Sequence, residues 1–474
     1  MKHIKSSYRR TKWIPFLALL FTLQSCFVAK QYERPQDALP TVDLFRKEYQ
    51  QVDSINMGLI KREDFFTDPI LQAYIQTALQ ENLDINIALE NIKASRSYYL
   101  QSRKAFLPTL NLGPGVNYGS QSLNTPFGKM FGERQHIFEY DLTASLSWEA
   151  DIWGKLSSSK RVAFADMQRT IAGQQVFQTI LVSNVASLYY QLLILDEQKK
   201  VTEYTIVTRT KSLETSKALK LEGTLTEAAV KQSEALIYNA QALLVQLGNQ
   251  IEVTENALNL LLASETKTVE RGTLDGQQIE MDLAIGVPYQ LLSNRPDVRA
   301  AEFDLMNAFE MVNVAKASFY PSFRLTASSG LQSVDIDQFF SPRALFGNVI
   351  TSLTQPIWNR RELKTRHEIS LAEQQIAYLN YRKSILNAGK EVSDALSNFN
   401  AQHQIEGLKM KEFSAYQAAT TYSQELMNYG LANYLEVLRA QENELSTQIS
   451  ILDAKYQKLN SIVQLYRTLG GGWE

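Results

Sequence analysis

The chain has 474 residues, of which 45% are apolar and 21% are charged, and its formal net charge at pH 7 is −2. This slight acidic excess, without any block of basic residues, excludes nucleic acid as a partner. The length suffices for a large core or an extended assembly. No internal apolar run approaches the ~20 residues of a membrane-spanning helix.

The N-terminal segment, residues 1–25, has the composition of a secretory signal peptide. "MKHIKSSYRRTK" carries five Lys/Arg and no acid, and "WIPFLALLFTL", an apolar segment of eleven residues, follows it. The apolar segment is too short for a stable membrane anchor. Removal of residues 1–25 would change the net charge from −2 to −7.

The chain contains one cysteine, Cys26, which cannot form an internal disulfide. "Leu23-Gln24-Ser25-Cys26" resembles the bacterial lipobox, in which the cysteine becomes the acylated first residue of the mature protein. Acyl chains contribute ~0.8 kcal/mol of membrane binding per buried CH₂. Phe27 follows the cysteine where Asp would favour retention in the inner membrane, so outer-membrane sorting is expected. We predict lipidation at Cys26; the alternative is an idle thiol in a cleaved peptide.

The chain contains an internal repeat. "LDINIALENIKASRSYYLQSRKAFLPTL" aligns without a gap to "PDVRAAEFDLMNAFEMVNVAKASFYPSF", so that Pro108 and Pro321 correspond, 213 residues apart. Farther along, Gly223 and Gly430 lie 207 residues apart. We therefore predict two copies, each with a helix, a β-hairpin, a very long helix and a returning helix.

Apolar periodicity, proline and glycine define the predicted boundaries. The predicted segments are a signal peptide at 1–25, a lipidated segment at 26–68, a first repeat at 69–263, a connector at 264–287, a second repeat at 288–468 and a tail at 469–474. The first repeat is predicted to contain a helix at 69–106, a hairpin at 108–151 and helices at 155–221 and 226–263. The second is predicted to contain a helix at 288–318, a hairpin at 319–358 and helices at 360–428 and 432–468.

The predicted strands alternate apolar and polar residues. In "FEYDLTASLSWE", Phe138, Tyr140 and Leu142 fall on one face, whereas Glu139 and Asp141 fall on the other. Each strand is about ten residues long, which suffices to cross a bilayer with tilt. Half of a soluble sandwich is the alternative, but four strands are too few to close a sheet. Unpaired edge groups in lipid cost several kcal/mol each, so the pattern predicts a barrel completed by other copies of the chain.

The two long predicted helices, 155–221 and 360–428, contain no proline. At ~1.5 Å per residue each would extend for ~100 Å, which requires lateral partners as in coiled coils. Gly223 and Gly430 follow these helices, as expected for the residue just past a helix end. The sequence therefore predicts a tight turn at each glycine.

Four motifs carry a family resemblance, and they occur in family order. They are RPDVRAAE at 295–302, AKASFYPS at 315–322, SLTQPIW at 352–358 and YGLANYLEVLRAQENEL at 429–445. From about residue 60 to the C-terminus, the chain resembles the outer-membrane factors of tripartite efflux systems, the TolC/OprM-like family, and especially the lipoprotein branch that partners RND pumps. The resemblance implies a mainly α-helical chain with a membrane β-barrel portion. It implies a homotrimer in which each chain gives four strands to a twelve-stranded outer-membrane barrel and its helices to a periplasmic α-barrel, with an equatorial belt formed by the connector at 264–287 and both chain ends.

The resemblance also implies a function. The protein would be a passive exit duct for drugs or other small molecules, lipid-anchored in the outer membrane and extending into the periplasm. An inner-membrane RND pump would supply energy, and a periplasmic adaptor would dock at the helical turns, for which Gly223, Thr224, Gly430 and Asn433 are the candidate residues. The alternative is the exit duct of a protein-secretion or metal-efflux system with the same fold. No cofactor is expected.

In relatives, a ring of acidic residues after the second tip glycine forms the periplasmic gate. Glu436 falls on the first acidic position, and three copies around a narrow axis would repel one another and attract cations. Arg439 falls where a second acid often lies; paired with Glu436 at i,i+3, it would weaken this ring. The alternative for Glu436 is a solvated residue of a helix surface.

The resting gate of this chain is expected to differ from that of some relatives. Those relatives join the tip with a Tyr before the glycine and an Arg after it, whereas Met427 and Ala432 stand at the matching positions here. Leu435, Tyr434 and Tyr429 could instead form an apolar plug, with ordinary packing of the tip as the alternative.

An enzyme and a purely structural coiled coil are the competing interpretations. Arg295, Asp297, Arg299 and Glu302 could be a catalytic cluster, but Pro296 and Asp297 are typical of a helix start. The four histidines are scattered, and the chain contains no phosphate-binding loop, no nucleophile elbow and no Cys/His metal cluster. We therefore predict no catalytic residue and no metal site. The four alternating strands argue against a simple coiled coil.

Overall fold

The computed structural model describes residues 28–35, 61–277 and 295–473. Cys26, most of the segment 26–68 and part of the predicted connector lie outside these residues. The described helices and strands are numbered in chain order. They are α1 Arg62–Phe65, α2 Pro69–Glu81, α3 Leu83–Lys104, β1 Thr109–Ser120, α4 Pro126–Phe131, β2 His136–Ala150, α5 Lys155–Leu221, α6 Glu227–Leu261, α7 Pro296–Ala317, β3 Ser322–Ser333, β4 Leu345–Thr354, α8 Glu362–Asn428 and α9 Tyr434–Thr468.

The first predicted helix, 69–106, is wrong as a single element, because it is interrupted at Asn82. The Asn82 Oδ1 accepts hydrogen bonds from the backbone N–H groups of Asp84 (3.0 Å) and Ile85 (3.2 Å). Its Nδ2 donates to the Leu261 carbonyl at 2.9 Å. Asn82 therefore caps α3 and ties it to the end of α6, a use of asparagine that competes with the helix interior.

The two hairpins also differ in detail from the prediction. The loop of the first hairpin contains α4, whose start is capped by Thr125 Oγ1 accepting from Gly128 N at 3.1 Å. This short helix ends at Gly132, which has a φ of 71°. The second strand of the hairpin predicted at 319–358 spans Leu345–Thr354 and ends before Trp358.

The chain divides into two compact units. Each unit draws on both repeats, and unit one contains the sheet. Of the described residues, unit one comprises 28–35, 92–169 and 301–380, and unit two comprises 61–91, 170–277, 295–300 and 381–473.

The four strands of unit one form a single antiparallel sheet in the order β1-β2-β3-β4. Its register pairs Leu110 with Leu146 and Trp148 with Leu325, so apolar side chains share one face. Polar side chains such as Asp141 occupy the other face. None of the described residues covers this apolar face fully, since Leu110 is 71% and Val349 70% exposed. In the described chain, β1 and β4 each pair along one side only.

The N-terminal segment 28–35 lies against α7 in unit one. Lys30 N donates to Asn313 Oδ1 at 3.2 Å, and Asn313 Nδ2 donates to the Lys30 carbonyl at 2.9 Å. Arg34 donates two hydrogen bonds of 2.6 Å to the Glu302 carboxylate. The segment therefore runs antiparallel to α7, and its beginning lies toward the end of α7 that leads into β3.

A buried ion pair joins α5 to α7 in unit one. Glu310 is 1% exposed and accepts from Arg161 Nε at 2.6 Å and Nη2 at 2.9 Å. Asn313 Nδ2 adds a third hydrogen bond of 3.0 Å. Such bidentate geometry is required to offset the desolvation of a buried carboxylate.

The core of unit two combines aromatic side chains from both repeats. Phe65 stacks on Tyr466 with ring centroids 4.1 Å apart. The buried Tyr189 hydroxyl donates to Asp68 at 2.7 Å and accepts from Gly272 N at 3.0 Å. One window of α5 is long and apolar enough to cross a membrane, but 67% of that window is buried, as in the core helix of a folded unit.

The charged start of α7 is part of a structural network in unit two. Arg295, whose side chain is 7% exposed, donates to Asp297 at 3.0 and 2.7 Å and to Glu391 at 2.7 Å. It also donates to the Thr468 carbonyl at 3.0 Å. These contacts tie the beginning of α7 to α8 and to the end of α9.

Candidate functional site at the two helical turns

The two long helices end in turns of the same backbone geometry. Gly223 after α5 has a φ of 81°, and Gly430 after α8 has a φ of 72°. A side chain is strained at such positive φ values, so both turns favour glycine. In each turn the next residue donates its N–H to the carbonyl five positions earlier, at 3.0 Å for Thr224–Leu219 and 2.9 Å for Leu431–Leu426.

The returning helices also begin in the same way. Thr226 Oγ1 accepts from Ala229 N at 3.3 Å at the start of α6. Asn433 Oδ1 accepts from Leu435 N at 3.1 Å at the start of α9. Thr226 and Asn433 are both good capping residues, and they lie 207 positions apart, as the two glycines do.

The side chains that span the two turns differ in character. Lys220 and Glu227 form an ion pair across the first turn, and the hydrogen bond from Lys220 lowers the pKa of Glu227. The corresponding positions of the second turn, 207 residues further on, are Met427 and Tyr434. The first turn therefore carries an ion pair where the second carries the uncharged Met427 and the buried Tyr434.

The predicted gate residues lie on the first two turns of α9. Glu436 and Arg439 are exposed, and Leu435 is 36% exposed. Within the described chain, no ion pair or hydrogen bond joins the side chains of Glu436 and Arg439. Both charges are therefore available to groups outside the chain.

Tyr434 has a contact that the sequence interpretation missed. It is only 6% exposed, and its hydroxyl lies 2.5 Å from Ser216 Oγ and 2.9 Å from Ser233 Oγ. This Tyr434 link ties the start of α9 to both α5 and α6. An apolar plug is consequently the wrong interpretation for Tyr434, whereas Tyr429 is 81% exposed.

Three further polar contacts join α5 to α9 above the Tyr434 link. They are Ser187–Asn460 at 2.7 Å, Gln198–Asp453 at 2.7 Å and a long contact of 3.5 Å from Arg209 to the Gln441 carbonyl. The α5 residues are spaced by eleven positions, which is about three helical turns, and so fall on one face. The regular spacing of polar residues along this face of α5 is the sequence feature from which these contacts with α9 could have been predicted.

The Tyr434 link and the three further contacts join α9 to α5 and α6 along unit two. Hydrogen bonds from polar side chains hold α9 against α5 and α6, and each contributes about 0.5–1.5 kcal/mol to stability. Among the residues that the structure describes, no group of three or more His, Cys, Asp or Glu side chains is placed to hold a metal ion.

Comparison with a family model gives two matches in this chain. The model described as "Outer membrane efflux protein" matches residues 74–264 and 287–471. The two matched segments begin 213 residues apart, which is the offset of the internal repeat.

Characterised proteins are similar over nearly the whole chain. The solvent efflux pump outer membrane protein SrpC of Pseudomonas putida is 30% identical over 467 residues, covering 98% of each chain. The cation efflux system protein CusC of Escherichia coli O6:H1 is 28% identical, covering 98% of this chain and 99% of CusC. The probable outer membrane lipoprotein SilC of Salmonella typhimurium is 27% identical, covering 96% and 98%.

A solved structure shares the fold. A crystal structure of CusC superposes with a TM-score of 0.83 at 26% identity, covering 94% of this chain and 99% of that chain. The predicted fold class, mainly α-helical with four strands that contribute to a membrane β-barrel, is confirmed by this similarity.

Proposed function

Because this chain belongs to the outer membrane efflux protein family, we propose that it is the homotrimeric exit duct of an RND-type tripartite pump. The protein is an efflux channel of the outer membrane, and its relatives are transport proteins rather than enzymes. Its task is to conduct small molecules passively from the periplasm to the exterior. An inner-membrane pump provides the energy, and a periplasmic adaptor joins pump and duct.

The two-faced sheet of unit one is the observation that carries this proposal. Its apolar face suits lipid and its polar face suits a water-filled lumen. The outer strands β1 and β4 have no second neighbour within the described chain. Unpaired backbone groups in lipid cost several kcal/mol each, which favours pairing of β1 with β4 of another copy. The number of three copies, and hence twelve strands, follows from the family resemblance.

The periplasmic gate is proposed to lie at the second turn. Glu436, exposed near the beginning of α9, is not neutralised by Arg439 within the chain, which supports a ring of three carboxylates around the axis. Leu435 lies beside it and would narrow the same constriction. The Tyr434 link would hold each copy of α9 against α5 and α6 while the duct is closed.

Planar bilayer recordings on purified protein test both the duct and the gate. Wild-type protein with the mass of three chains should form discrete, cation-preferring channels. The attraction between a cation and one carboxylate ~5 Å away in water is about 0.8 kcal/mol, which is about fourfold in local concentration. Glu436→Gln should therefore lower the preference for K⁺ over Cl⁻ by a similar factor, whereas Glu252→Gln, an exposed change on α6, should not.

The possible outcomes distinguish an error in the proposed duct from an error in the assignment of the gate. If the protein forms no channels and does not assemble, the proposed duct is wrong. If wild-type and Glu436→Gln channels have the same selectivity, the duct stands but the assignment of Glu436 to the gate is wrong.

We propose that the adaptor docks on the two turns, at Gly223, Thr224, Gly430 and Asn433. These residues are exposed, small or polar, and they belong to turns with one shared backbone geometry. Cross-linking from a cysteine at position 224 to a co-expressed adaptor would test this. Cross-linking that is no stronger than from an exposed position far along α6 would reject it.

Cys26 is proposed to carry the lipid anchor. The similarity to SilC, named as a probable outer membrane lipoprotein, supports this. So does the segment 28–35, because Lys30 is held at Asn313, near the end of α7 that leads to the sheet. Cys26 precedes Lys30 by four residues, which span at most ~14 Å. The acyl chains would thus be kept near the membrane end of unit one.

Replacement of Cys26 gives a direct readout of the anchor. Cells fed labelled palmitate should label the wild-type protein, and Cys26→Ser should abolish the label, because serine cannot be acylated at the lipobox. Arg34→Gln should remain labelled, since it changes only the docking of the segment. Equal labelling of wild-type and Cys26→Ser would refute the assignment.

Export of metal cations is the second candidate function. It is favoured by the similarity to CusC, which is named a cation efflux protein. SrpC, named a solvent efflux protein, has a slightly higher identity and favours organic cargo. Comparing how gene deletion changes susceptibility to toluene and to copper distinguishes the two. A protein-secretion duct remains the alternative within the same fold, and a secretome comparison addresses it.

A further inference from the structure

A cleft in unit two begins at the Tyr434 link, where Ser216 and Tyr434 line it, and extends along α5 past Arg209 to Tyr204. Its volume is about 430 Å³, and α5, α8 and α9 line it. This volume lies within the roughly 300–1,000 Å³ of sites that bind organic molecules. The wall contributed by α5 includes Arg209.

Arg209 is an unusual group to find at this position. The residue is 5% exposed, and no carboxylate of the described residues contacts its guanidinium. Nη1 donates to the Leu236 carbonyl at 2.9 Å. Burial lowers the pKa of Arg209, and Glu442 offsets this only through its more distant charge. A buried cation without a paired anion is costly, so an anion in the cleft would be stabilised.

One edge of the Arg209 guanidinium lacks a close hydrogen-bond partner among the described residues. Its Nε is buried and has no hydrogen-bond partner among the described residues. Its Nη2 makes only the long contact of 3.5 Å to the Gln441 carbonyl. Nε and Nη2 form the edge with which Arg34 binds both oxygens of Glu302 elsewhere in this chain. The same edge of Arg209 can bind a carboxylate or sulfonate through two parallel hydrogen bonds.

The rest of the cleft combines a second cation with apolar surface. Lys211 lines the cleft, and so does Glu444, whose carboxylate accepts a hydrogen bond of 2.9 Å from Thr420. Val437 and Leu445 add apolar surface. We propose that this cleft binds an organic anion, whose acidic group pairs with Arg209 while its apolar part contacts Val437 and Leu445. A bound anion would hold α5, α8 and α9 in the arrangement described here.

Calorimetry with 2-naphthoate tests the site on the full-length protein in an uncharged detergent. We expect saturable binding at one site per chain. The neutral 2-naphthamide should bind at least tenfold more weakly, because it cannot form the charged pair with Arg209. This comparison uses wild-type protein and does not depend on the folding of any variant or on channel activity.

A matched pair of variants locates the anion. Arg209→Gln should weaken 2-naphthoate binding at least tenfold, whereas Lys217→Gln should not change it. Lys217 lies on the same helix but is exposed and paired with Glu214 at 2.9 Å. Absent binding to wild-type protein, equal binding of the neutral analogue, or unchanged binding to folded Arg209→Gln would each overturn the proposal.

Discussion

Arg161→Ala should destabilise unit one by about 3–5 kcal/mol, because it leaves the Glu310 carboxylate buried without its cation. The Glu310 side chain is 2% exposed, and after the substitution only the hydrogen bond from Asn313 would remain among the contacts described above. The measurement is denaturant unfolding of the detergent-solubilised protein, with tryptophan fluorescence of the sheet region as the probe. The midpoint should fall well below that of the wild type.

Arg169→Ala provides the control on the same helix. Arg169 donates to Asp166 at 2.7 Å, but both side chains are more than 40% exposed. Exposed ion pairs of this kind contribute about 0–1 kcal/mol to the free energy of unfolding. Equal losses of stability in the two variants would show that the burial of Glu310 does not determine the effect.

Tyr434→Phe should raise the open probability of the channel about tenfold. The substitution removes the hydroxyl from Ser216 and Ser233, and two hydrogen bonds in a buried site contribute about 1–3 kcal/mol together. If the link is present only in the closed arrangement, 1.4 kcal/mol corresponds to a tenfold shift toward the open state. Single-channel recordings in planar bilayers measure this probability directly.

Tyr429→Phe is the matched control, since Tyr429 lies at the same turn but is 81% exposed. It should leave the open probability unchanged. A Tyr434→Phe protein that assembles normally and opens as rarely as the wild type would rule out a gating role for the link, although not its contribution to packing.

The elements that depend on local pattern could be predicted from the sequence. Alternation of apolar and polar residues identified β2, and the absence of proline between 155 and 221 identified α5. Gly223 and Gly430 marked the turns, because a left-handed residue is a local requirement of the backbone. The family motifs then indicated the assembly and the role of the chain. The periodicity of apolar residues carries no information about either.

Contacts that depend on tertiary position could not be predicted in this way. Asn82 interrupts a helix because Leu261, far away in sequence, offers a carbonyl to its side chain. The sequence suggests an apolar role for Tyr434, because Ser216 and Ser233, the hydrogen-bond partners of its hydroxyl, are distant in sequence. The buried state of Arg209 is likewise a property of three packed helices, since nothing in its sequence neighbours distinguishes it from an exposed arginine.

The shared geometry of the two turns has a consequence for recognition. In an assembly of three copies the turns would appear six times, with nearly sixfold symmetry in the backbone but only threefold symmetry in the side chains. A partner that contacts backbone groups at Gly223 and Gly430 would meet six equivalent sites. A partner that contacts the Lys220–Glu227 ion pair would distinguish alternate positions, because the second turn carries Met427 and the buried Tyr434 in their place. Because of the duplication, one partner can recognise this surface as sixfold-symmetric while another recognises it as threefold-symmetric.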